Sequence, residues 1–272
     1  MSQSPEYVLG THDDEVTRLG LQHQLWAAYT AALWERAGFQ PGSRLLDVGC
    51  GPGHAAFDLA QLVGPGGQVV AIDESPRFVE ALRVQCRQRG LSQVDARVVD
   101  AQRLDLPAGS MDGAYCRWVL CWLRDAQAVI DGVARALRVG GVFAIQDYFN
   151  YRSLTLAPRS PELERVVQAV LAAWKMRGGD DDLAARLPAM LTRSGLRVRE
   201  IHPVLRVARP GEPLWHWPTT FFNNFVPSLV KTGYLSQSEA DAFFAEWRRR
   251  TEDANTFFCT PPVFEVIAVR DR

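Results

Sequence analysis

The chain has few cysteines, and their arrangement suits neither a disulfide framework nor a metal centre. Five occur among 272 residues, at positions 50, 86, 116, 121 and 259, and no two of them form a CxxC pair. An odd number at irregular spacings is typical of reduced thiols in a cytosolic protein. We therefore predict a cytoplasmic protein with no disulfide bonds and no bound metal.

The chain also lacks a surplus of one charge and a long apolar run. Thirty Lys and Arg residues oppose 31 Asp and Glu residues, for a formal net charge of -1. Binding along a nucleic acid needs a concentrated positive surface, so we predict no nucleic-acid partner. No stretch approaches the ~18 uninterrupted apolar residues of a membrane span, and the opening MSQSPEYVLGTHDDEV has no apolar signal core. We expect a small-molecule partner, no membrane, and a monomer or homodimer.

The chain does contain an alternation of short apolar runs and amphipathic stretches. Strands are predicted at 44–48, 68–72, 95–99, 113–117 and 141–146, and helices near 54–63, 76–89 and 125–138. A helix over 13–38 precedes them, and helices at 161–175, 182–194 and about 236–250, a strand at 196–208 and a β run at 262–270 follow. This rhythm predicts an α/β fold with a mostly parallel sheet of about seven strands and helices on both faces.

The composition divides the chain into three parts. Residues 1–40 form a helical cap, and residues 41–208 together with 256–272 form the main α/β domain. Between them, 209–255 holds four prolines and a dense aromatic cluster that the sheet does not need. We predict that 209–255 is a helical insert, or lid, before the last strand.

A glycine-rich turn is the sharpest local signal. In LLDVGCGPG, residues 45–53, an apolar strand containing Asp47 is followed by glycines at 49, 51 and 53. Glycine lets the backbone bend tightly and approach a ligand closely, because no Cβ stands in the way. Dinucleotides and S-adenosylmethionine are both bound by such loops, and on the loop alone a simple turn is a third possibility.

The spacing of the glycines favours S-adenosylmethionine over a dinucleotide. The dinucleotide pattern needs G-x-G-x-x-G, whose third glycine lets the helix pack close to the strand. Counted from Gly49, that place is occupied by the bulky His54, and the glycine falls one residue early. Asp47 beside the turn can receive a cationic amine more readily than a pyrophosphate.

Acidic residues end the next two strands. Asp73 follows the apolar run VVAI, where a carboxylate can accept both ribose hydroxyls of an adenosine. Its neighbour Glu74 can equally cap the helix that starts at Pro76. Asp100 follows VV at the third strand tip, where it can accept a hydrogen bond from an adenine amino group.

Taken together, these segments resemble a known enzyme family. LLDVGCGPG, VVAIDES, VVDAQRLDLP, MDGAYCRWVLCWL and LRVGGVFAIQDY resemble the motif series of Rossmann-fold (class I) S-adenosylmethionine-dependent methyltransferases, in particular the ubiquinone/menaquinone-biosynthesis-type small-molecule branch. The opening EYVLGTHDDEVTRLGLQHQ resembles the N-terminal cap of bacterial members of that branch. The resemblance extends over residues 6–147 and says little about the substrate.

The resemblance implies a set of cofactor contacts. Tyr7, Arg18 and Gln22 would close over the methionine carboxylate, although Arg18 could equally form a surface ion pair with Asp14. The remaining predicted S-adenosylmethionine-binding residues follow the strand ends: Asp47, Gly49, Gly51, Gly53, Asp73, Glu74, Asp100, Ala101, Arg117 and Trp118.

On the acceptor side the sequence offers weaker signals. Methyl transfer from a sulfonium depends mainly on positioning, and a base is needed only where the attacking atom must lose a proton early. The candidate bases are the five histidines, at positions 12, 23, 54, 202 and 216. His216 is the best of them, because it lies in the aromatic cluster of the insert. The predicted acceptor-binding residues are Tyr148, Trp215, Trp217, Phe222 and Asn223. Further possible lining comes from the neighbours of these residues: Phe149, Tyr151, Phe221, Asn224 and Phe225. The aromatic ones could instead be the core of a small helical insert.

Three alternative functions remain open on sequence alone. The first is an NAD(P)-dependent oxidoreductase, which the shifted glycine and the lack of a second dinucleotide half disfavour. The second is a methyltransferase acting on RNA or protein, and near-neutral charge favours a small molecule instead. The third is a non-catalytic member that keeps the fold, which the intact glycine loop and strand-tip acids disfavour.

Overall fold

The computed structural model describes residues 13–271, apart from the side chains of Asp13 and Asp14. The predicted cofactor residue Tyr7 lies outside this range. The helices are α1 Asp13–Ala37, α2 His54–Val63, α3 Pro76–Arg89, α4 Ala126–Ala136, α5 Pro161–Met176, α6 Leu183–Arg193, α7 His216–Lys231 and α8 Gln237–Thr251. One-turn 3-10 helices occupy Ala101–Arg103, Leu120–Trp122, Tyr151–Ser153 and Pro213–Trp215. The strands are β1 Arg44–Val48, β2 Gln68–Asp73, β3 Val94–Val98, β4 Met111–Arg117, β5 Leu137–Tyr148, β6 Thr155–Ala157, β7 Leu196–Val204, β8 Val207–Ala208, β9 Phe257–Cys259 and β10 Val263–Arg270.

The main sheet has seven strands in the order β3-β2-β1-β4-β5-β10-β7, which confirms the predicted α/β class. Strands β1 to β5 are parallel, whereas β10 runs antiparallel to both of its neighbours. The chain moves outward from β1 first to β2 and β3, then returns to β4 on its other side. Ligands of open α/β sheets bind at such a reversal, beyond the carboxyl ends of the strands.

Helices cover both faces of the sheet. On one face α1, α2 and α3 pack over side chains such as Leu45, Val69 and Tyr115. On the other face α4, α5 and α6 bury Leu46, Val70 and their neighbours, and this core continues into α7 and α8. Because both faces are covered, β2 is buried along nearly its whole length, which explains its unbroken apolar sequence.

Local sequence signals account for the boundaries of helices α3 and α8, which were both predicted. The Ser75 hydroxyl accepts a hydrogen bond from the Phe78 amide at the start of α3, and Pro76 occupies the first turn. Gly90 ends that helix in the left-handed conformation. Farther along, Ser236 and Glu239 form a capping box that starts α8.

The predicted strand 196–208 is wrong as a single strand. It breaks after Val204, and β8 pairs with β9 in a separate sheet of order β6-β9-β8. The break is held by Thr260, whose side-chain oxygen accepts from the Arg206 amide at 3.1 Å. Strands of two or three residues carry no readable periodicity, so the small sheet depends on distant pairing partners. Likewise α4 ends at Ala136, two residues earlier than predicted, and β5 begins at once.

Within the predicted helical insert, no bounds were predicted for α7, because Pro218 and Pro227 mask its helical periodicity. Pro218 lies in the first turn, where its missing amide hydrogen has no helical partner in any case. The helix belongs to the segment 205–262, which leaves the sheet at the end of β7 and returns at the start of β10. Both points lie at the carboxyl edge of the parallel strands, so α7 and α8 are placed beside that edge. Within residues 13–271, none of the helices has both the length and the apolar character of a membrane span.

Candidate functional site

A cleft of about 680 Å³ lies at the carboxyl edge of the parallel strands. It is large enough for a small molecule with a nucleoside attached. The predicted cofactor residues that line it are Arg18, Gln22, Gly49, Gly51, Asp73, Glu74, Asp100, Ala101, Arg117 and Trp118. A wider surface groove of about 840 Å³ lies at the opposite edge of the sheet and is lined by none of them.

The glycine turn presents bare backbone to this cleft at one position. Gly51 has φ 54°, and a Cβ built there would lie in open space, with Leu19 Cδ1 as its nearest neighbour at 3.9 Å. At Gly49, with φ 67°, a Cβ would lie 2.3 Å from Val119 Cγ2. A side chain is therefore excluded by protein atoms at Gly49, whereas at Gly51 it would occupy space that a ligand can use.

Gly53 does not face the cleft. A Cβ on this residue would lie 2.3 Å from Leu82 Cδ1, and its φ of 99° places it just before α2. Its lack of a side chain lets α2 and α3 pack closely at the turn. Gly53 was predicted to contact the cofactor, but it does not line the cleft. Glycine is needed at this position because a side chain would collide with Leu82.

Asp73 ties the end of β2 to the glycine turn. One carboxylate oxygen accepts the Gly51 amide at 2.9 Å, and the other accepts the Ser75 amide at 2.9 Å. Burial raises the pKa of Asp73, and these two amides partly offset that effect. A carboxylate can accept about four hydrogen bonds, so Asp73 keeps capacity for hydroxyl groups in the cleft.

Glu74 and Asp100 stand next to Asp73 along the cleft. The pKa of Glu74 is raised, first by burial and then by the charges of Asp73 and Asp100. Asp100 accepts the amide of Gln102 at 3.0 Å, which starts a one-turn helix beginning at Ala101. Three carboxylates thus meet at the ends of β2 and β3, as expected for parallel neighbouring strands.

Asp47 is a buried carboxylate with an unsatisfied oxygen. It is 2% exposed, and within the described residues its Oδ2 has no hydrogen-bond partner. Burial raises its pKa to about 7, an effect that Arg117 reduces and Asp73 increases. Asp47 lines a recess of about 70 Å³ that adjoins the cleft through Gly49 and Gly51. An unpaired buried carboxylate is costly, so a cationic group in this recess fits its requirement.

Arg117 is held beside Asp47 by helix α1. Its Nη1 donates to Thr30 Oγ1 at 2.9 Å, and its Nη2 donates to His23 Nδ1 at 3.1 Å. Because arginine only donates, His23 accepts at Nδ1 and donates from Nε2 to Asp58, 2.8 Å away. Thr30 was not predicted to support the site, and His23 was predicted only as one of the possible bases. Their sequence signal is two polar residues on the buried stripe of α1, at i and i+7.

Trp118 adopts a strained backbone conformation at the end of β4. Its φ is 52°, a region that bulky residues rarely occupy. Its ring stacks against Tyr148 and Trp217, with centroids 5.7 Å and 5.8 Å away. Strain of this kind concentrates at functional sites, where surrounding packing maintains it.

A small aromatic recess opens from the far end of the cleft. It adjoins the cleft because Gln22, Tyr148 and Phe221 line both spaces. Its described lining residues are Gln22, Tyr148, Tyr151, Leu154, Trp217, Pro218, Phe221, Phe222, Phe258 and Pro261. Three of the predicted acceptor residues are among them: Tyr148, Trp217 and Phe222.

The other predicted acceptor residues lie elsewhere. Trp215 stacks on Trp247 at 4.8 Å and donates from Nε1 to Thr251 Oγ1 at 3.1 Å, so it belongs to the core between α7 and α8. Asn223 and His216 are exposed and line neither the cleft nor the aromatic recess. Because α7 is a helix, its aromatic face and its polar face point in different directions. His216 is therefore no longer a candidate base.

Phe258 was missed by the sequence analysis, whereas Phe221 and Tyr151 belong to the two aromatic groups that it named as possible lining. Phe221 is adjacent to the predicted Phe222, and only knowledge that α7 is helical separates the cleft-facing ring from the core-facing one. Phe258 lies far from the other lining residues in the chain, and it reaches the recess because β9 pairs with β6, where Phe258 is opposite Leu156. Local sequence patterns carry no signal for that pairing.

Two polar links connect α1 to α7 above the cleft. Arg18 forms a bidentate pair with the fully buried Glu15, at 2.7 Å from both Nε and Nη2, rather than an exposed surface pair. Glu15 also accepts from Asn224 at 3.3 Å. Gln22 Oε1 accepts from Arg18 Nη1 at 3.0 Å and from Trp217 Nε1 at 2.9 Å.

Comparison with known proteins agrees with this geometry. A family model described as a methyltransferase domain matches residues 46–145. Nocamycin O-methyltransferase of Saccharothrix syringae is 41% identical over 193 residues, covering 65% of this chain and 69% of that protein. Ubiquinone biosynthesis O-methyltransferase of Xanthomonas axonopodis pv. citri is 32% identical over 169 residues, covering 60% of this chain and 66% of that protein.

Solved structures share the fold. Geranyl diphosphate methyltransferase, solved in complex with GPP and sinefungin, superposes with a TM-score of 0.58 at 19% identity, over 91% of this chain and 80% of that one. Identity this low shows the shared architecture alone. The sequence relatives and the family model go further and confirm the resemblance seen in the strand-end motifs. This chain belongs to the class I family of S-adenosylmethionine-dependent methyltransferases.

Proposed function

We propose that the protein transfers a methyl group from S-adenosylmethionine to an oxygen atom of a small aromatic molecule. One observation carries the proposal: the carboxylate of Asp47, whose Oδ2 has no partner within the described residues, the open backbone at Gly51 and the carboxylate of Asp73 face adjoining spaces. A ligand with a cationic group, an aliphatic chain that lies against the backbone, and a ribose would match Asp47, Gly51 and Asp73 in that order. The sequence relatives support the choice of oxygen, since both are named O-methyltransferases.

The residues around the cleft fit the parts of this cofactor. Asp47 would hold the ammonium group, and Arg18 with Gln22 would hold the carboxylate. Asp73 would accept the ribose hydroxyls, with Glu74 beside it. Asp100 and Ala101 would contact the adenine edge. When bound, the cofactor supplies an electrophilic methyl group on a positively charged sulfur.

The acceptor would lie at the end of the cleft that meets the aromatic recess. The recess itself has a volume of about 30 Å³ and would hold only part of such a molecule. Its rings favour a flat, largely apolar molecule, and its polar atoms are the Gln22 amide and the hydroxyls of Tyr148 and Tyr151. Burial raises the pKa of both tyrosines above the usual value, so they stay protonated at neutral pH. They would therefore donate hydrogen bonds to an acceptor oxygen and orient it.

Enclosure is the other contribution of the chain. Helix α7 and helix α1 meet over the cleft, and we propose that 209–255 acts as a lid and the N-terminal segment as a cap. A closed site aligns the nucleophile, the methyl group and the sulfur, and it keeps water from competing. We also propose a cytoplasmic enzyme, a monomer or homodimer, consistent with five free cysteines of which four are buried.

Titration calorimetry with S-adenosylhomocysteine tests the cofactor assignment. We expect binding of S-adenosylhomocysteine and none of NAD. Asp73→Ala should weaken the first by about 1.5–3 kcal/mol, the range for lost hydrogen bonds to a charged group. Asp95→Ala is a suitable control, because that residue forms an exposed pair with Arg97 on the outer strand β3. Equal affinities in the two folded variants would remove Asp73 from the site.

A labelled-methyl assay tests the acceptor assignment. Wild-type protein with methyl-labelled cofactor should label hydroxylated aromatic compounds in a panel, and leave tRNA and a protein lysate unlabelled. Labelling of RNA or protein alone would contradict a small-molecule acceptor. Labelling of amines in place of hydroxyls would contradict transfer to oxygen.

A further inference from the structure

The carboxamide of Gln22 joins the two sides of the site. Its oxygen accepts one hydrogen bond from Arg18, which lines the cofactor cleft, and one from the Trp217 indole, which lines the aromatic recess. Gln22 itself lines the cleft, the recess at Asp47 and the aromatic recess. It is therefore placed to respond to a ligand in one space and to adjust the wall of another.

The chemistry of its partners fixes the orientation of this amide. Arginine and tryptophan side chains only donate hydrogen bonds, so the oxygen of Gln22 must face both of them. The amide nitrogen is then turned to the other side, and it donates to no residue within the described part of the chain. Both of its hydrogens are left for a ligand in the adjoining spaces.

We infer that Gln22 is a positioning residue through which a ligand in the cofactor cleft further stabilises the position of Trp217, and with it of α7. The inference rests on the proposed function. A ligand carboxylate beside Arg18 would take the free amide hydrogens of Gln22 and hold the carboxamide in one rotamer. That rotamer presents the oxygen to the Trp217 indole, which forms a wall of the aromatic recess. Cofactor binding then prepares the acceptor site.

Trp215 provides a matched comparison within the same turn of chain. Both indoles are buried, and each donates one hydrogen bond. The Trp215 bond goes to Thr251, on α8 within the proposed lid, whereas the Trp217 bond crosses to α1. Replacement by phenylalanine removes the donor and keeps an aromatic ring in both cases. Only Trp217→Phe should remove the link between α7 and the cofactor cleft that runs through Gln22, and the contact of Asn224 with Glu15 is kept in both variants.

Amide hydrogen exchange of residues 216–231, with and without saturating S-adenosylhomocysteine, tests the inference. In the wild-type protein and in Trp215→Phe, the ligand should slow exchange of α7 by about 5-fold or more, the lower end of typical coupling between sites. In Trp217→Phe and Gln22→Met that ligand-dependent slowing should vanish. Calorimetry on the same samples establishes that the ligand is bound.

Gln22→Glu distinguishes the role of the carboxamide oxygen from that of the carboxamide nitrogen. Its carboxylate can still accept from Arg18 and Trp217, but it replaces the amide donors with a second oxygen. We expect α7 to be protected without ligand, and S-adenosylhomocysteine to bind at least about 10-fold more weakly because two carboxylates then meet. A structural role in α1 alone would produce no such division.

The possible failures are distinguishable. If wild-type protein does not bind S-adenosylhomocysteine, the proposed function is overturned and this inference with it. If the ligand binds and α7 exchange changes equally in all variants, α7 docks by apolar packing and Gln22 does not position it. The proposed function would then stand.

Discussion

At the scale of single residues, Gly51 gives the most direct test of whether the glycine turn, residues 49–53, contacts the cofactor. Gly51→Ala should lower S-adenosylhomocysteine affinity at least about 10-fold, since its Cβ would occupy ligand space. The left-handed φ of 54° adds about 1–2 kcal/mol of backbone strain. Gly90→Ala carries the same kind of strain, at φ 67° with no atom within 4 Å of the new Cβ.

The two glycine variants should therefore unfold at similar temperatures and differ only in ligand binding. Calorimetry gives the affinities, and thermal unfolding gives the shared loss of stability. Equal ligand affinity in both variants would mean that Gly51 serves the turn and not the ligand.

Asp47 should make ligand binding depend on pH. Its pKa of about 7 is raised by burial, so it is increasingly protonated, and neutral, as the pH falls below 7. A cationic amino group favours the ionised form, so affinity for S-adenosylhomocysteine should fall by up to about tenfold for each pH unit below 7. Titrations between pH 5.5 and 8 would measure this.

Asp47→Asn supplies the control for that experiment. It keeps the shape of the side chain and removes the titrating group, so binding should be weaker and nearly flat with pH over this range. A pH slope that persists in Asp47→Asn would assign the titration to another group. The sign also applies to the free protein: a raised carboxylate pKa means that stability declines as the pH rises towards 7.

At the scale of secondary-structure elements, the side of α7 that faces the cleft should govern acceptor turnover. Phe221 lines both the cleft and the aromatic recess, whereas Phe244 of α8 packs against Phe243 and lines neither. Phe221→Ala should lower kcat/KM for the acceptor by about 10- to 100-fold, because a displaced acceptor loses alignment. S-adenosylhomocysteine affinity should change far less.

Phe244→Ala is the matched control, since it removes the same ring from the same pair of helices. Steady-state kinetics with an acceptor found in the labelling panel would compare the two. Similar losses of kcat/KM in both variants would show that α7 only covers the site and that Phe221 does not align the acceptor. Phe222 is unsuitable for this comparison, because its ring is buried in the core with Phe243 and Trp247.

The elements that could be predicted are those with local signals. Strand β1 and helices α2 and α3 lie where the sequence placed them, because apolar runs, Ser75 and the glycines mark their limits. The bounds of α7 and the small sheet escaped prediction for a physical reason. The prolines of α7 mask its periodicity, and strands as short as β8 are stabilised by partners that come from elsewhere in the chain.

The candidate site likewise contains some residues that local sequence signals predict and some contacts that they do not. The proximity of Asp47, Asp73 and Asp100 could be predicted from sequence, because the carboxyl ends of neighbouring parallel strands lie at one edge of the sheet. The contacts of α1 with Arg117 and of Gln22 with Trp217 depend on how two helices dock over that edge. No spacing within the chain specifies such docking, which also explains why the placement of His216 was wrong.

At the scale of the whole molecule, a partly buried polar cluster links α1 to the sheet. Arg36 of α1 pairs with Glu200 of β7 at 2.7 Å and with Glu265 of β10, which is 1% exposed. Gln146 of β5 donates to Glu265 at 2.8 Å. Arg36→Met would leave Glu265 buried without its cation, so the free energy of unfolding should fall by about 3 kcal/mol.

Urea denaturation would measure that loss against two references. The double variant Arg36→Met with Glu265→Met should recover much of it, because both charges are then gone. Arg197→Met breaks the exposed pair with Asp271 and should change stability by less than about 1 kcal/mol. Equal losses in Arg36→Met and Arg197→Met would show that the cluster does not anchor α1.

The position of β10 determines when the fold can be completed. This strand lies between β5 and β7 in the sheet, yet it follows both of them and both lid helices along the chain. While the chain is being synthesised, β5 therefore has an open edge and β7 has no partner in the main sheet. Unpaired edges of this kind are where nascent chains associate wrongly. Strand β9, which joins β6 to β8, is likewise made after α7 and α8. Completion of the small sheet and closure of the main sheet are thus both late events, and a chain that stops short of β9 has neither.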